Sequence, residues 1–271
     1  MKVRIKFQKY GAMKFIGHLD VMRYFQKAFR RAQFDNKYSE GYSPHQIMSF
    51  AAPLGVGITS DSEYLDVELL SCDAPKVMMD RLNGVLTEGF HVIDFQILKE
   101  PGENEKKIKS MALVSSADYL VSLKDGYNIG GGITSQGEFR QAFEGFYNKP
   151  EIRVIKKTKK SEKEINIKEN ITLVAFDKQE YQDKLSSCLA ELPSNNKDII
   201  SSAQVYENGI KLYLQLDTGS IINIKPEMVM EAFYDSMGLE FNKFAWQIHR
   251  LEIYTRDEES KKLTSLDKLE Y

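Results

Sequence analysis

Val3, Ile5 and Phe7 alternate with Lys2, Arg4 and Lys6, the period-two pattern of a strand with one buried face. Gly11 breaks it. Over residues 19–34 the period lengthens. At about 100° per residue Met22, Phe25, Phe29 and Ala32 fall on one arc and Arg23, Lys27, Arg30 and Arg31 on the opposite one, predicting an amphipathic helix. Gly17 stands at its N-cap and Asp20 in its first turn, where a carboxylate meets the positive end of the helix. Residues 35–46, broken by Gly41 and Pro44, read as a loop. Strands are expected over 46–51 and 63–70; in the second, Leu65, Val67 and Leu69 would face the core and Tyr64, Asp66 and Glu68 would point outward. Pro75 opens a helix running to about residue 87, and residues 92–98 close the unit as a strand. The order β-α-β-β-α-β is the ferredoxin-like arrangement.

Residues 100–109, with Pro101 and Gly102, read as a linker. Beyond it the scheme repeats, with a strand over 118–123, a helix over 136–147 and a strand over 152–157. Asn208-Gly209, inside 205–212, signals a hairpin with a type I′ turn. A helix over 226–237 and a strand over 246–254 follow. The expected fold class is α+β: tandem ferredoxin-like (βαββαβ) halves with mainly antiparallel sheets, residues 1–100 and 110–254. Residues 255–271 would form a frayed polar tail.

Charge changes this picture more than bulk composition does. The chain of 271 residues is 42% hydrophobic and 28% charged, which excludes wholesale disorder. Nothing approaches the roughly 18 apolar residues of a membrane span, and the first residues lack a signal peptide's apolar block. A cytoplasmic location with no membrane partner is expected. Cys72 and Cys188, read as buried thiols, are too few for a four-cysteine zinc site or an iron–sulfur cluster held by a cysteine triplet. No metal and no cofactor are expected. The net charge is −2, yet residues 1–50 hold ten Lys/Arg and three acids, +7, leaving −9 for the rest. Such a split points to a directed positive surface.

The helix face Arg23, Lys27, Arg30 and Arg31 presents cations at the spacing of successive phosphates, with Tyr24 and Tyr38 near enough in sequence to stack on bases. A solvated or acid-paired helix face is the plain alternative. Arg4 and Lys6 read instead as cross-strand partners of Asp66 and Glu68. Residues 153–163 carry six bases and one acid, and resemble a hairpin with a lysine-rich tip. Lys156, Lys157, Lys159, Lys160 and Lys163 would follow a phosphate backbone there, unless they only blunt an edge strand. His18, Asp20 and His45 are the one close grouping able to do acid–base or metal chemistry, with capping and loop hydrogen bonds as the structural alternative. Gly130-Gly131-Gly132 lacks the lysine and hydroxyl of a phosphate loop and reads as a flexible connection.

Four stretches together resemble a known family: Phe15-Ile16-Gly17-His18-Leu19-Asp20-Val21-Met22-Arg23, Tyr38-Ser39-Glu40-Gly41-Tyr42-Ser43-Pro44-His45, Ile47-Met48-Ser49-Phe50-Ala51 and Glu63-Tyr64-Leu65-Asp66-Val67-Glu68-Leu69. They are similar to the bacterial radical-SAM-linked proteins, neighbours of or fusions to a radical S-adenosylmethionine protein, whose genes lie near those of a ribonuclease and ribosomal proteins. Gly17 stands where that family more often has serine. The family has no established catalytic residues, so none carries over. The paired halves also resemble CRISPR repeat-RNA endonucleases, without those enzymes' glycine-rich loop before residues 246–254. The resemblance implies an accessory partner of a radical S-adenosylmethionine protein, binding or presenting tRNA or rRNA through the basic positions. Tyr38, Ser39, Gly41, Tyr42, Pro44 and His45 would then form a substrate or partner loop. Two other readings stand: a metal-independent ribonuclease or small transferase using His18 and His45, and a structural adaptor that never touches RNA.

Overall fold

The computed structural model describes residues 1–99, 109–157, 162–191, 200–220 and 222–269, with Lys156 and Lys157 described in backbone alone. Strand β1 (Lys2–Lys9) lies between β3 (Thr59–Glu68) and β4 (Phe90–Leu98), antiparallel to both, and short β2 (Met48–Phe50) pairs with β3. Helices α1 (His18–Arg31) and α2 (Pro75–Asn83) supply the remaining core. Val3, Ile5 and Phe7 of β1 meet Phe25, Phe29, Leu82 and Phe90 in one cluster with essentially no exposure. Gly17 leaves α1 without a side-chain N-cap. At the other end the Arg81 guanidinium donates to the carbonyls of Ala32 and Gln33, satisfying groups the helix terminus leaves open.

The chain continues through α3 (Ser110–Leu113), β5 (Ser116–Leu123), α4 (Gln136–Tyr147), the hairpin β6 (Arg153–Lys157) with β7 (Glu162–Asn166), β8 (Ile171–Ala175), α5 (Lys178–Cys188), β9 (Lys211–Asp217), α6 (Pro226–Ser236), β10 (Trp246–Arg256) and β11 (Leu263–Ser265). Ser135 and Glu138 form a full capping box at the start of α4. Phe139, Phe143, Phe233 and Trp246 centre a second core of α4 and α6 on the sheet. All strands but β6 and β7 join one nine-stranded sheet of order β4-β1-β3-β10-β5-β9-β8, with β2 on β3 and β11 on β10. Every pairing is antiparallel except β3–β10, where His249 and Arg250 lie opposite Thr59 and Ser60 in parallel. The fold is mixed α and β, with six helices among the described residues.

Several expectations need correction. The Asn208-Gly209 turn is present but only β9 follows it, since residues 200–206 form no strand. Asp125 accepts from the backbone of Glu207 and Asn208 and holds the turn against the end of β5 instead. The second helix stops at Asn83, capped by Gly84. Helix α5 was not anticipated, because only Tyr181 and Leu185 along it are buried and the amphipathic pattern is faint. Residues 255–268 are not frayed: β10 runs to Arg256, β11 pairs with it, and Leu263 and Leu266 are buried. Gly130, Gly131 and Gly132 all take positive φ, 93°, 60° and 79°, and close a tight turn between Gly130 and Ile133 in place of a flexible connection. Cys72 and Cys188 are half-buried. All but the last residue of the expected linker lies outside the described residues.

Candidate nucleic-acid interface

The buried face of α1 is set by Val21, Phe25, Ala28 and Phe29, and that anchoring turns Arg23, Lys27, Arg30 and Arg31 to solvent. Their surroundings differ. Arg23 pairs with Asp20 one turn back at 3.1 Å, both well exposed, a contact worth little in water. Arg31 donates to the Val85 carbonyl at 3.1 Å and lies over the Tyr24 ring, 5.7 Å from its centre. No hydrogen bond or ion pair engages the side chain of Lys27 or Arg30 among the described residues. Tyr24 is not a free platform, because it stacks on Phe90 at 4.9 Å and its hydroxyl accepts from the Thr87 backbone.

The loop after α1 is closed at its base. Tyr38 and Gln46 form a bridge, the Ser39 N–H donates to the His45 carbonyl, and the His45 N–H donates to the Ser39 hydroxyl. Gly41, at φ 113°, makes the bend that side chains resist. The result projects Gly41, Tyr42, Ser43, Pro44 and His45 into solvent, with Tyr42 fully exposed and Tyr38 45% exposed. Lys163 is exposed on β7, opposite Lys156 in the hairpin register. Arg153 in the same hairpin is tied to Glu151 and Glu164, whereas Lys159 and Lys160 lie outside the described residues.

His18 and His45 are not brought together by any hydrogen bond or ion pair among the described residues. His45 bonds within its own loop, its Nδ1 2.9 Å from the Ser39 hydroxyl. His18 packs edge-on against Phe50 at 4.9 Å. Burial holds its imidazole below the ordinary value, with Glu63 opposing and Lys9 reinforcing the shift. Asp20 faces Arg23 instead of either histidine. Among the described residues no group of three or more His, Cys, Asp or Glu is placed to hold a metal ion, and no helix is long and apolar enough to cross a membrane.

The expected Arg4–Asp66 pair is present inside, and what sequence reading missed is the network around it. Arg4 grips Asp66 with Nε and a terminal nitrogen, at 2.8 and 3.2 Å, and donates to the Leu266 carbonyl. Lys6 does not reach Glu68. Its ammonium sits 2.7 Å from Glu252 and 2.8 Å from Asp267, and the Tyr64 hydroxyl donates to the same two carboxylates. Tyr64 and Asp66 therefore point into a roofed polar seam and not into water, and the C-terminal turn is the roof. On β10, Arg250 is wholly enclosed with Glu63, at 2.9 Å through Nε; burial works against its charge, but Glu63 and Tyr119 together hold the guanidinium above its ordinary value. His249 Nδ1 meets the Thr59 hydroxyl at 2.8 Å and its Nε2 lies 2.9 Å from Asp61 in ion-pair contact. The only sequence sign of this seam was the alternation of bases in β1 with acids in β3.

The surviving open cations thus sit on α1, with the exposed aromatic loop following it in the chain. The curated proteins contain no match to this chain. A family model described as an uncharacterized protein conserved in bacteria (DUF2344) matches residues 2–202, which takes in β1, the whole of α1 and the exposed loop. On that match the chain belongs to this bacterial family.

Proposed function

We propose that the protein is a non-catalytic RNA-binding accessory protein of the cytoplasm that presents RNA to a radical S-adenosylmethionine protein. The observation that carries the RNA part is the outward face of α1, where Lys27 and Arg30 stand exposed and without an acidic partner among the described residues. The interior cations Arg4, Lys6 and Arg250 are already matched by interior carboxylates, so a phosphate backbone is the complement this face lacks. The radical S-adenosylmethionine partner is supported by the sequence motifs at residues 15–23 and 38–45, the second of which forms the projecting loop. We read the frame as two ferredoxin-like halves. The sets β4-β1-β3-β2 and β10-β5-β9-β8 support this, because each runs fourth, first, third, second in the order of its own half.

Anisotropy titration of labelled tRNA and rRNA fragments tests the reading. Binding should weaken steeply with salt, by about 0.7–0.9 in logarithmic slope for each phosphate neutralised. Lys27→Glu with Arg30→Glu should lower affinity at least about tenfold and remove about two contacts from that slope. Absence of binding at low salt, where phosphate contacts are strongest, would overturn it. Co-purification with the radical S-adenosylmethionine protein after nuclease treatment in high salt tests the partnership separately.

A further inference from the structure

Four large apolar side chains stand in water on α1, on the segment before it and on the segments that lead into the parallel β3–β10 pair. Phe15 is 67% exposed, Phe244 65%, Val56 62% and Leu19 58%. They come from segments tied together by specific bonds. The Gly57 N–H donates to the Lys14 carbonyl at 2.7 Å, setting Val56 beside the Phe15 segment. Gln247 then links both to β10: its Oε1 accepts from the Lys14 ammonium at 2.9 Å and its Nε2 donates to the Gly57 carbonyl at 3.1 Å. Lys124 donates to the Phe244 carbonyl at 2.9 Å. The segments that carry Phe15, Val56 and Phe244 are therefore fixed relative to one another, and exposed apolar groups on a fixed frame suit an interaction surface.

The cations around it define the occupant. The Lys14 ammonium lies 5.3 Å from the Phe15 ring centre and the Lys243 ammonium 5.1 Å from that of Phe244. Burial holds the Lys124 ammonium below its ordinary value and the Lys14 charge adds to the effect, so a nearby anion would favour the charged form of Lys124. Leu19 lies one helical turn before Arg23, which joins the patch to the open face of α1. Exposed rings flanked by lysines, leading onto a cationic track, suit bases that are unpaired and a backbone that is charged. A duplex hides its base faces and has no use for the rings.

We propose that this junction is a stacking platform for single-stranded RNA, with Phe15 and Phe244 under two unpaired bases and Lys14, Lys124 and Lys243 on the adjoining phosphates. The inference rests on the RNA-binding reading and adds the strandedness of the ligand. Titration of the full chain with oligouridylate and with a duplex RNA of equal length tests it. Single strand should bind about tenfold or more tighter than duplex. Phe15→Leu and Phe244→Leu keep an apolar side chain but remove the ring, and each should cost the single strand about five- to tenfold while leaving the salt slope unchanged. Two outcomes would overturn the platform: equal affinity for the two RNAs, or leucine variants that bind as the parent does, which would mark the patch as an apolar protein-docking surface. If Lys27→Glu with Arg30→Glu still abolishes binding in either case, the RNA-binding reading stands without the platform. Failure of the parent chain to bind either RNA at low salt removes both.

Discussion

The bases of β1 and those of α1 are the same residue types within 30 residues of one another, and they end in opposite environments. In β1, Arg4 and Lys6 are enclosed by Asp66, Glu252 and Asp267. In α1, Lys27 and Arg30 face water, and only Arg23 has a carboxylate, from its own helix. Alternation along a strand says that one face is apolar; it does not say that the other face is wet. Here the second face is roofed by the turn at Leu266 and Asp267, more than 250 positions away in sequence. The surplus of seven positive charges in residues 1–50 therefore overstates the positive surface, because distant acids neutralise the strand contribution and leave the helix contribution open.

The sharpest way to break this contrast is Arg4→Met. It leaves Asp66 enclosed with Lys2 as its remaining cation, and the Leu266 carbonyl loses its donor. Removing one partner of a buried pair typically costs about 3–5 kcal/mol, because the other charge stays behind without compensation. Urea denaturation should show a loss of that size, and Arg4→Met combined with Asp66→Leu should recover part of it. A loss below about 1 kcal/mol would put the β1 bases in the class of surface pairs and erase the distinction.

Two interior carboxyls sharpen the comparison with opposite signs. Asp61 is buried, which raises its pKa, but contact with His249 and hydroxyls from Ser201 and Ser202 outweigh burial and bring it down to about 2. Asp118 has no cationic partner among the described residues. Burial drives it up to about 6 against hydrogen bonds from Tyr181 at 2.6 Å and Tyr254 at 2.9 Å. A lowered folded pKa gives stability that is present above the unfolded value near 3.8 and is lost as pH falls toward 2. A raised one gives stability that is present below 3.8 and is lost as pH climbs through 6. Asp118→Asn should thus match the parent at pH 4 and gain on it at pH 8 by up to about 3 kcal/mol, whereas Asp61→Asn should lose by about 2 kcal/mol above pH 4. A parent and an Asp118→Asn variant with parallel stability–pH curves would show that this carboxyl ionises as freely folded as unfolded.

How much of this was legible follows from whether a residue's partner is local. The faces of α1 are settled by spacing within 14 residues: Phe25 and Phe29 were read as inward and the four cations as outward, whereas Met22 is only half-buried and Val21 and Ala28 were not named. Helix α4 was read over 136–147, the bounds it has, although the Ser135 and Glu138 capping box that closes its first turn went unread. The Arg4–Asp66 pair was accessible because antiparallel neighbours in an assumed sheet fix its register. Lys6 was set beside Glu68, but an antiparallel register that pairs Arg4 with Asp66 places Lys6 opposite Tyr64; it goes to Glu252 and Asp267, which nothing near it in sequence reveals. The C-terminal segment was misread for the same reason: its polar residues look like a solvated tail, and only the packing of Leu263 and Leu266 discloses their use. The exposure of Lys27 and Arg30 was readable, but the Lys14–Gln247 contact that ties the segment of Phe15 to β10 was not, because it joins residues 233 positions apart.

The smallest expected effect on stability is the one that isolates function. Lys27→Ala with Arg30→Ala removes two charges that support no interior contact, and alanine is the better helix former, so the folded state should change by less than about 0.5 kcal/mol. The same pair should lower RNA affinity and flatten its salt dependence, because each ammonium or guanidinium lost is one phosphate fewer neutralised. Denaturation and titration performed on one preparation of that variant separate the two roles that charge plays here. A large loss of stability would mean that α1 uses these cations as β1 uses Arg4, and the contrast between an enclosed and an open set would disappear. A stable variant with unaltered RNA affinity would keep the contrast but move the phosphate contacts to the hairpin β6–β7, where Lys163 is the exposed cation to replace next.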